Sequence, residues 1–185
     1  WVNQKSHLLS FENPCITDNE LKHAALIAKN KNYYNKLNLC FIGRLEPEKG
    51  ALIICELLQN LSDATWIDTF YIVGDGPSKN VLENQKSNLN IKVCLMGSLS
   101  RAQLNEIYTK CHLILLPSYA SEGFPKVLAE ASSYGCVPVV SNLSSIGQYI
   151  ENNISGIVIN DLSANNLKIL LSKLSDNRDK LIKMA

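Results

Sequence analysis

The sequence predicts an α/β protein with a doubly wound parallel sheet of the Rossmann-like type. Six short apolar segments alternate with segments of helical periodicity from residue 37 onwards. The apolar segments are continuous rather than alternating, which is typical of strands covered on both faces of a sheet. Capping boxes at Thr17-Asp18-Asn19-Glu20 and Ser100-Arg101-Ala102-Gln103 mark two helix starts. In such sheets ligands bind outside the carboxyl ends of the strands, so the loops after the strands are the places to search for chemistry.

The elements are predicted in a regular order along the chain. Strands are expected at Leu37–Ile42, Thr69–Val73, Ile91–Met96, His112–Leu116, Val137–Ser141 and Gly156–Asn160. Helices are expected at Leu52–Leu61, up to about Ser87, after Ser100, from the turn at Pro125, around Ser145–Ile150, and after Ser163. Each long helix carries apolar residues at helical spacing, and in the first of them these are Ile54, Leu57, Leu58 and Leu61.

Two parts are predicted along the chain. Residues 1–36 lack a strand signal and are expected to be a linker and a short helix from the junction with a missing N-terminal domain. The apolar side of this helix is predicted to consist of Leu21, Ala24, Ala25 and Ala28. Residues 37–185 are predicted to form the Rossmann-like domain.

Composition narrows the class of protein. A formal net charge of +1 gives no electrostatic reason to expect binding to nucleic acid or to an anionic membrane. The longest apolar runs are about as long as a strand, whereas a membrane-spanning helix needs about 20 residues. None of the six cysteines forms a CxxC pair, and most lie in apolar runs. They are expected to be buried reduced thiols of a cytoplasmic protein rather than a disulfide framework or a zinc site.

Two cations lie in the loop after the first strand. Arg44 follows Gly43, and Lys49 precedes Gly50 where the next helix begins. An arginine can bind phosphate oxygens through two hydrogen bonds, and helix amides beside it also favour an anion. The alternative is a solvated loop with ordinary surface cations, and this alternative is favoured for an Arg-Lys pair considered alone.

Glycines mark the loops after the second and third strands. Gly74-Asp75-Gly76-Pro77 and Gly97-Ser98 allow backbone to approach a flat ligand closely. A tight turn before a helix explains each loop equally well on its own. Neither loop fits the G-x-G-x-x-G fingerprint, and the sequence has no Walker lysine motif.

Two carboxylates flank the start of the helix after the fourth strand. Glu122 lies in the loop, Glu130 lies inside the helix, and the amides from Gly123 to Lys126 face the space between them. That arrangement suits a polar ligand with hydroxyls and phosphate. The alternative is an exposed i,i+4 ion pair between Lys126 and Glu130. No catalytic spacing and no metal-ligand set can be assembled from the histidines His7, His23 and His112.

Together these loops resemble a known family. The matching segments are Gly43-Arg44-Leu45, Lys49-Gly50, Val73 to Pro77, Leu116-Pro117-Ser118, Glu122-Gly123-Phe124-Pro125, Glu130-Ala131, Gly135 to Val140, and Gly156. They resemble the C-terminal, donor-binding domain of a GT-B retaining glycosyltransferase of family 4, also called glycosyl transferases group 1. The likeness covers roughly residues 37 to 175, and the E-x7-E spacing around Gly123-Phe124-Pro125 is its most specific part.

The resemblance implies a role for each matching residue. Arg44 and Lys49 would bind the diphosphate of a nucleotide-sugar and stabilise the charge that develops as it leaves, and Glu122 would contact the donor sugar. Glu130 would hold the ribose. The remaining donor contacts that the resemblance implies are Gly43, Gly74, Met96, Gly97, Ser98, Gly123, Phe124, Pro125, Lys126 and Val127.

The resemblance also implies what lies outside this chain. The sheet would be one half of a GT-B fold, the acceptor would bind to a missing N-terminal domain, and membrane contact would occur only through that domain. No cofactor and no metal is expected, and the 185-residue chain alone is expected to transfer nothing. Bacterial polysaccharide biosynthesis is the family's usual setting. Gln148 departs from the family, which usually has an acid there.

Two other functions remain open at this point. One is a non-catalytic nucleotide-sugar-binding or scaffold subunit, although retention of Arg44, Lys49, Glu122 and Glu130 argues against decay of the site. The other is a sugar-nucleotide epimerase of GT-B architecture. The E-x7-E pair argues against the epimerase.

Overall fold

The computed structural model describes residues 16–86, 89–120, 123, 125–143 and 146–185. The strands are β1 Leu37–Ile42, β2 Ile67–Val73, β3 Lys92–Leu95, β4 Leu113–Leu116, β5 Val137–Ser141 and β6 Ile157–Ile159. The α-helices are α1 Asp18–Lys29, α2 Ala51–Asn60, α3 Lys79–Lys86, α4 Arg101–Lys110, α5 Lys126–Ser133, α6 Ile146–Tyr149, α7 Ala164–Asp176 and α8 Arg178–Met184. A 3₁₀ turn at Pro47–Lys49 and helix α8 are the two elements that the sequence pattern did not predict.

The six strands form one parallel sheet in the order β3-β2-β1-β4-β5-β6. The predicted doubly wound parallel sheet is therefore confirmed. The chain moves outward from β1 to β3, then returns to place β4 on the other side of β1. Such a reversal opens a crevice between the loops that follow the two central strands, here β1 and β4.

Both faces of the sheet are covered, as the continuous apolar strands predicted. Successive residues of β1 alternate between two cores: Leu39 and Phe41 face one, whereas Cys40 and Ile42 face the other. The first core is covered by α2, α3, α7 and α8, and the second by α1, α4, α5 and α6. The predicted stripe of α2, from Ile54 to Leu61, is buried in the first core.

Helix α1 begins with the predicted capping box between Thr17 and Glu20. Its predicted apolar side is only partly correct. Ala24 is fully buried, but Leu21 is 49% exposed and Ala25 is also exposed. Helix α1 packs on α4 and α5, and it does so through Ala24, with Ile27 and Ala28 half-buried.

The segment after α1 is fixed to the second core. The Tyr33 hydroxyl donates to the Gly135 carbonyl, and the Lys31 ammonium donates to the Tyr108 carbonyl at 2.9 Å and to the Cys111 carbonyl. A lysine at the carboxyl end of a helix, here α4, satisfies carbonyls that have no partner within the helix. These contacts hold residues 18–33 against the α/β domain. The predicted division at residue 36 stays a prediction.

The described cysteines are free thiols, and those at positions 40, 55, 111 and 136 are buried while Cys94 is half-buried. The prediction of buried reduced thiols is confirmed for those four; Cys15 lies outside the described residues. The longest helix of the described chain, α7, has 13 residues, and no described helix combines the length and the hydropathy needed to cross a bilayer.

Candidate functional site

The loops after the two central strands are joined by hydrogen bonds to a single carbonyl. The backbone oxygen of Glu48 accepts from the amides of Tyr119 at 2.7 Å and Ala120 at 3.0 Å, and from the Ser118 hydroxyl at 3.1 Å. Gly50 makes this contact sterically feasible. Its φ is +86°, and a Cβ there would lie 2.2 Å from the Pro117 carbonyl oxygen. The loop that carries Arg44 and Lys49 is thereby fixed against the loop that leads into α5.

The loops after β1, β2 and β3 are joined in the same way. The Gly43 amide donates to the Val73 carbonyl at 3.0 Å, and the Gly74 amide donates to the Gly97 carbonyl at 2.8 Å. Gly74 has a φ of +132°, and a Cβ there would lie 1.9 Å from the Gly43 carbonyl oxygen. These glycines therefore do more than form isolated tight turns, because their hydrogen bonds join the three loops to one another.

A cavity of about 310 Å³ opens between these three loops. Its polar lining comes from Gly43, Arg44, Gly74, Asp75 and Ser98. Its apolar lining comes from Ile42, Val73, Leu99 and Leu104. A larger groove of about 500 Å³ lies beyond β4, at the carboxyl ends of β5 and β6. The loops predicted from the sequence meet at the smaller cavity, which is therefore the candidate ligand site.

The two predicted cations lie at this edge of the sheet. The Arg44 side chain is 69% exposed, and its Nη1 donates to the Glu46 carboxylate at 2.8 Å. An exposed pair of this kind contributes little to stability, and the other guanidinium donors can still bind an anion. Lys49 ends the 3₁₀ turn directly before Gly50, beside the Glu48 carbonyl. The backbone of the loop that carries both cations is held by hydrogen bonds. The exposure of Arg44 is also compatible with the alternative of an ordinary surface cation.

Asp75 is a cavity residue that the sequence analysis treated only as part of a turn. Its carboxylate accepts from Lys79 at 3.1 Å and from the Gly76 amide at 3.0 Å. These bonds, with the lysine contributing most, lower the pKa of Asp75. Its signal in the sequence was the aspartate between two glycines, a pattern that equally suits a simple turn.

Met96, Gly97 and Ser98, the contacts predicted after β3, all lie within the described residues. Met96 is 40% exposed, and its amide donates to the Ile72 carbonyl at 2.9 Å. Gly97 has a φ of +63°. Of these three residues, Ser98 lines the cavity.

Helix α5 begins one residue later than the sequence predicted. Pro125 is the N-cap, with a ψ of 123°, and the first helical residue is Lys126. Lys126 and Gly123 are exposed, whereas Val127 is half-buried against the second core. Glu122 and Phe124 lie outside the described residues, as does the side chain of Gln148. Their predicted roles stay predictions.

Glu130 has a partner that the sequence did not indicate. Its Oε2 accepts a hydrogen bond of 3.0 Å from the Tyr108 hydroxyl on α4. Among the described residues no ion pair joins it to Lys126, so the exposed i,i+4 pair that was the alternative does not form there. Burial, followed by the nearby Glu130 carboxylate, raises the pKa of Tyr108.

No cluster of three or more histidine, cysteine, aspartate or glutamate side chains suited to a metal ion occurs within the described ranges. His112 is held by backbone instead. Its Nδ1 accepts from the Asn38 amide at 2.9 Å, and its Nε2 donates to the Asn32 carbonyl at 3.0 Å. His112 is therefore a packed residue.

Fold and site together define a Rossmann-like domain with a ligand crevice at the carboxyl edge of its sheet. The chain belongs to the glycosyl transferases group 1 family, whose model matches residues 23–185. A relative from Escherichia coli, UDP-Gal:alpha-D-GlcNAc-diphosphoundecaprenol alpha-1,3-galactosyltransferase, is 30% identical over 156 residues. Those residues are 82% of this chain and 39% of that protein, so the chain spans well under half of the relative's length.

Two solved structures share the fold. One is the C-terminal domain of the group 1 family glycosyl transferase LpcC from Francisella tularensis, with a TM-score of 0.70 and 16% identity over 87% of this chain and 86% of that one. The other is Anabaena Alr3699/HepE in complex with UDP-glucose, with a TM-score of 0.69 and 19% identity over 88% of this chain and 45% of that one. The fold is thus that of GT-B glycosyltransferase domains, as the sequence resemblance predicted.

Proposed function

We propose that this chain is the donor-binding domain of a retaining glycosyltransferase that moves a sugar from a nucleotide-sugar to a glycan, lipid or other acceptor. The observation that carries the proposal is the joint between the loops after β1 and β4, made by the Glu48 carbonyl at the point where the strand order reverses. This joint supports a site shared by the cations of the first loop and by α5, which carries Glu130. The UDP-glucose bound by HepE and the sugar transfer named for the E. coli relative support the same function.

The proposed chemistry is electrostatic. Arg44 and Lys49 hold the diphosphate and stabilise the negative charge that grows on it as the bond to the sugar breaks. Glu122 contacts the donor sugar, and Glu130 holds the ribose. Cations stabilise a transition state most strongly when they need not rearrange during the reaction. The hydrogen bonds that fix the backbone of the loop after β1 favour such a fixed position. We assign charge stabilisation to these two side chains and propose neither a metal nor a cofactor.

The acceptor is proposed to bind to an N-terminal domain that completes the GT-B fold, and membrane contact is proposed only through that domain. The length of the E. coli relative supports this, because the match covers 39% of it. The free buried thiols support a cytoplasmic location. That relative's diphosphoundecaprenol acceptor supports a role in bacterial polysaccharide biosynthesis. We propose no nucleic-acid partner, because the formal net charge is only +1.

The donor can be tested by thermal stabilisation of the 185-residue chain with UDP-, GDP- and ADP-sugars. A ligand at 100 times its Kd adds about 2.7 kcal/mol to the free energy of unfolding. For a chain of this size, that corresponds to roughly 5–10 °C in Tm. Arg44→Ala and Lys49→Ala should each reduce the shift, because each removes a phosphate contact. Lys183→Ala, an exposed cation on α8, is the control and should leave the shift unchanged.

Two results would contradict the proposal. One is the absence of stabilisation by every nucleotide-sugar, and the other is an undiminished shift in both Arg44→Ala and Lys49→Ala. A different measurement, sugar transfer by the full-length protein, distinguishes the proposed transferase from a non-catalytic scaffold subunit. Undiminished sugar transfer in full-length Arg44→Ala or Glu122→Ala would favour the scaffold. Sugar transfer by the purified 185-residue chain would refute the proposal that catalysis depends on a second domain.

A further inference from the structure

Tyr108 is a fully buried tyrosine that the proposed chemistry does not use. It lies on α4 with 0% of its surface exposed, and its ring packs against Tyr134 with centroids 5.9 Å apart. A buried hydroxyl needs a hydrogen-bond partner, because leaving it unpaired costs free energy. The recorded partner is Oε2 of Glu130, 3.0 Å away on the neighbouring helix.

This bond restricts a side chain that would otherwise move freely. Glu130 is half-buried on the second turn of α5. Within the described residues, only Oε2 of its carboxylate has a hydrogen-bond partner. The other oxygen, Oε1, is not a buried unpaired atom, so it is accessible. One carboxylate oxygen is thus held from the protein side, while the other remains open to an incoming hydroxyl.

Glu130 lines a small cavity with Arg101 and Asn105 of α4. The same helix lines the cavity of about 310 Å³, where we place the nucleotide. Leu104, one helical turn before Tyr108 on the same side of α4, is part of the cavity lining. The loop that precedes α4 supplies Ser98 and Leu99 to the same cavity. Helix α4 therefore lines the cavity of about 310 Å³ and also holds the Glu130 carboxylate of α5.

We infer that Tyr108 is a positioning residue that fixes Glu130 so that its free oxygen accepts hydrogen bonds from the hydroxyls of a ribose. The inference rests on the proposed function, and it adds that the site selects ribonucleotides over 2′-deoxyribonucleotides. A carboxylate already held in one rotamer loses little conformational entropy when the sugar binds. Loss of the phenol hydroxyl should therefore weaken recognition of the ribose and leave recognition of the phosphates unchanged.

The test compares dissociation constants for UDP and 2′-deoxy-UDP, measured by titration calorimetry on the 185-residue chain. If GDP- or ADP-sugars stabilise the chain more than UDP-sugars do, the corresponding nucleoside diphosphate and its 2′-deoxy form replace UDP and 2′-deoxy-UDP. The unaltered chain should prefer the ribonucleotide by roughly tenfold or more, equivalent to about 1.4 kcal/mol. Glu130→Ala should bring the ratio close to one. Tyr108→Phe should lower it about threefold to tenfold, while the Kd for the deoxynucleotide changes less than twofold.

Tyr134→Phe is the matched control, because Tyr134 packs on the same face but its hydroxyl has no recorded bond to Glu130. It should leave the ratio unchanged. If Tyr108→Phe does not fold, Glu130→Asp tests the same bond by withdrawing the carboxylate from the phenol, and it should lower the ratio likewise.

The outcomes separate the inference from the proposed function. An unchanged ratio in Tyr108→Phe, together with a collapsed ratio in Glu130→Ala, overturns the role of Tyr108 and leaves the nucleotide site intact. Equal weakening of both nucleotides by Tyr108→Phe also overturns it, because a purely structural role predicts that result. Absence of binding to any nucleoside diphosphate overturns both proposals.

Discussion

At the scale of single residues, burial decides how His112 behaves. The ring is 7% exposed and lies edge-on to Tyr33, with ring centroids 5.3 Å apart. Both of its nitrogens are bonded to backbone, Nδ1 as an acceptor. Protonation would therefore place a charge in an apolar site and remove the acceptor that the Asn38 amide needs.

We expect His112 to make the free energy of unfolding depend on pH. Burial first, then the charge of Lys31, lowers the pKa of His112 from 6.5 to about 4. Between these values the unfolded chain binds more protons than the folded one, so stability is full above pH 6.5 and falls toward pH 4. The loss attributable to this ring is about 3 kcal/mol, at about 1.36 kcal/mol per pH unit.

Urea denaturation at several pH values from 4 to 7.5 would measure this dependence. His112→Gln, whose amide can replace both hydrogen bonds, should lose less stability over the interval than the unaltered chain. His23→Gln, on the exposed side of α1, is the control and should follow the unaltered chain. An equal slope in all three proteins would show that other groups cause the dependence.

At the scale of elements, the site depends on how closely two loops approach. Gly50→Ala would place a methyl group 2.2 Å from the Pro117 carbonyl oxygen, at a φ of +86°. We expect the free energy of unfolding to fall by at least about 2 kcal/mol, because the backbone strain and the clash add. Binding of the nucleotide-sugar should weaken as well, since Arg44 and Lys49 would move away from α5.

Gly43→Ala is the control for stability, because nothing lies within 4 Å of the Cβ that it would add. Its free energy of unfolding should stay within about 0.5 kcal/mol of that of the unaltered chain. Thermal unfolding compares the two variants directly. A Gly50→Ala protein as stable as Gly43→Ala would mean that the β1 and β4 loops are not tightly joined.

The sequence predicted these elements well where the signal was local. Both capping boxes form, at Thr17 and at Ser100, and β1 and β5 have the predicted bounds. The 3₁₀ turn at Pro47–Lys49 was missed because it is too short to show periodicity. The exposure of Leu21 was missed because it depends on the position of α1 over α4 and α5.

At the scale of the whole molecule, the parallel sheet buries most of the described thiols. Cys40, Cys111 and Cys136 belong to the second core, and Cys55 to the first. Burial raises the pKa of Cys55 to about 11 and that of Cys136 to about 12. The thiolate is the reactive form, so these side chains should be inert in the folded protein.

Alkylation with iodoacetamide at pH 8, followed by peptide mapping, would test this expectation. Cys94 on the edge strand β3 is half-buried, so it should react before the four buried cysteines, which should react only after denaturation. Cys94→Ser should remove that early modification without changing the others. Rapid labelling of Cys40 or Cys136 in the folded chain would contradict the packing described above.

The sequence by itself determined the class of sheet, the family, and the glycine and cation loops, because apolar runs, capping boxes and loop motifs are local patterns. Only the tertiary structure decided which loops meet. The contact of the Glu48 carbonyl with residues 118–120 spans about 70 positions of the chain, and that of Tyr108 with Glu130 spans 22. Such contacts depend on strand order and on the angles between helices, which no local pattern encodes. For that reason the sequence indicated Glu130 as a candidate site residue, whereas it did not indicate the tyrosine that bonds to it.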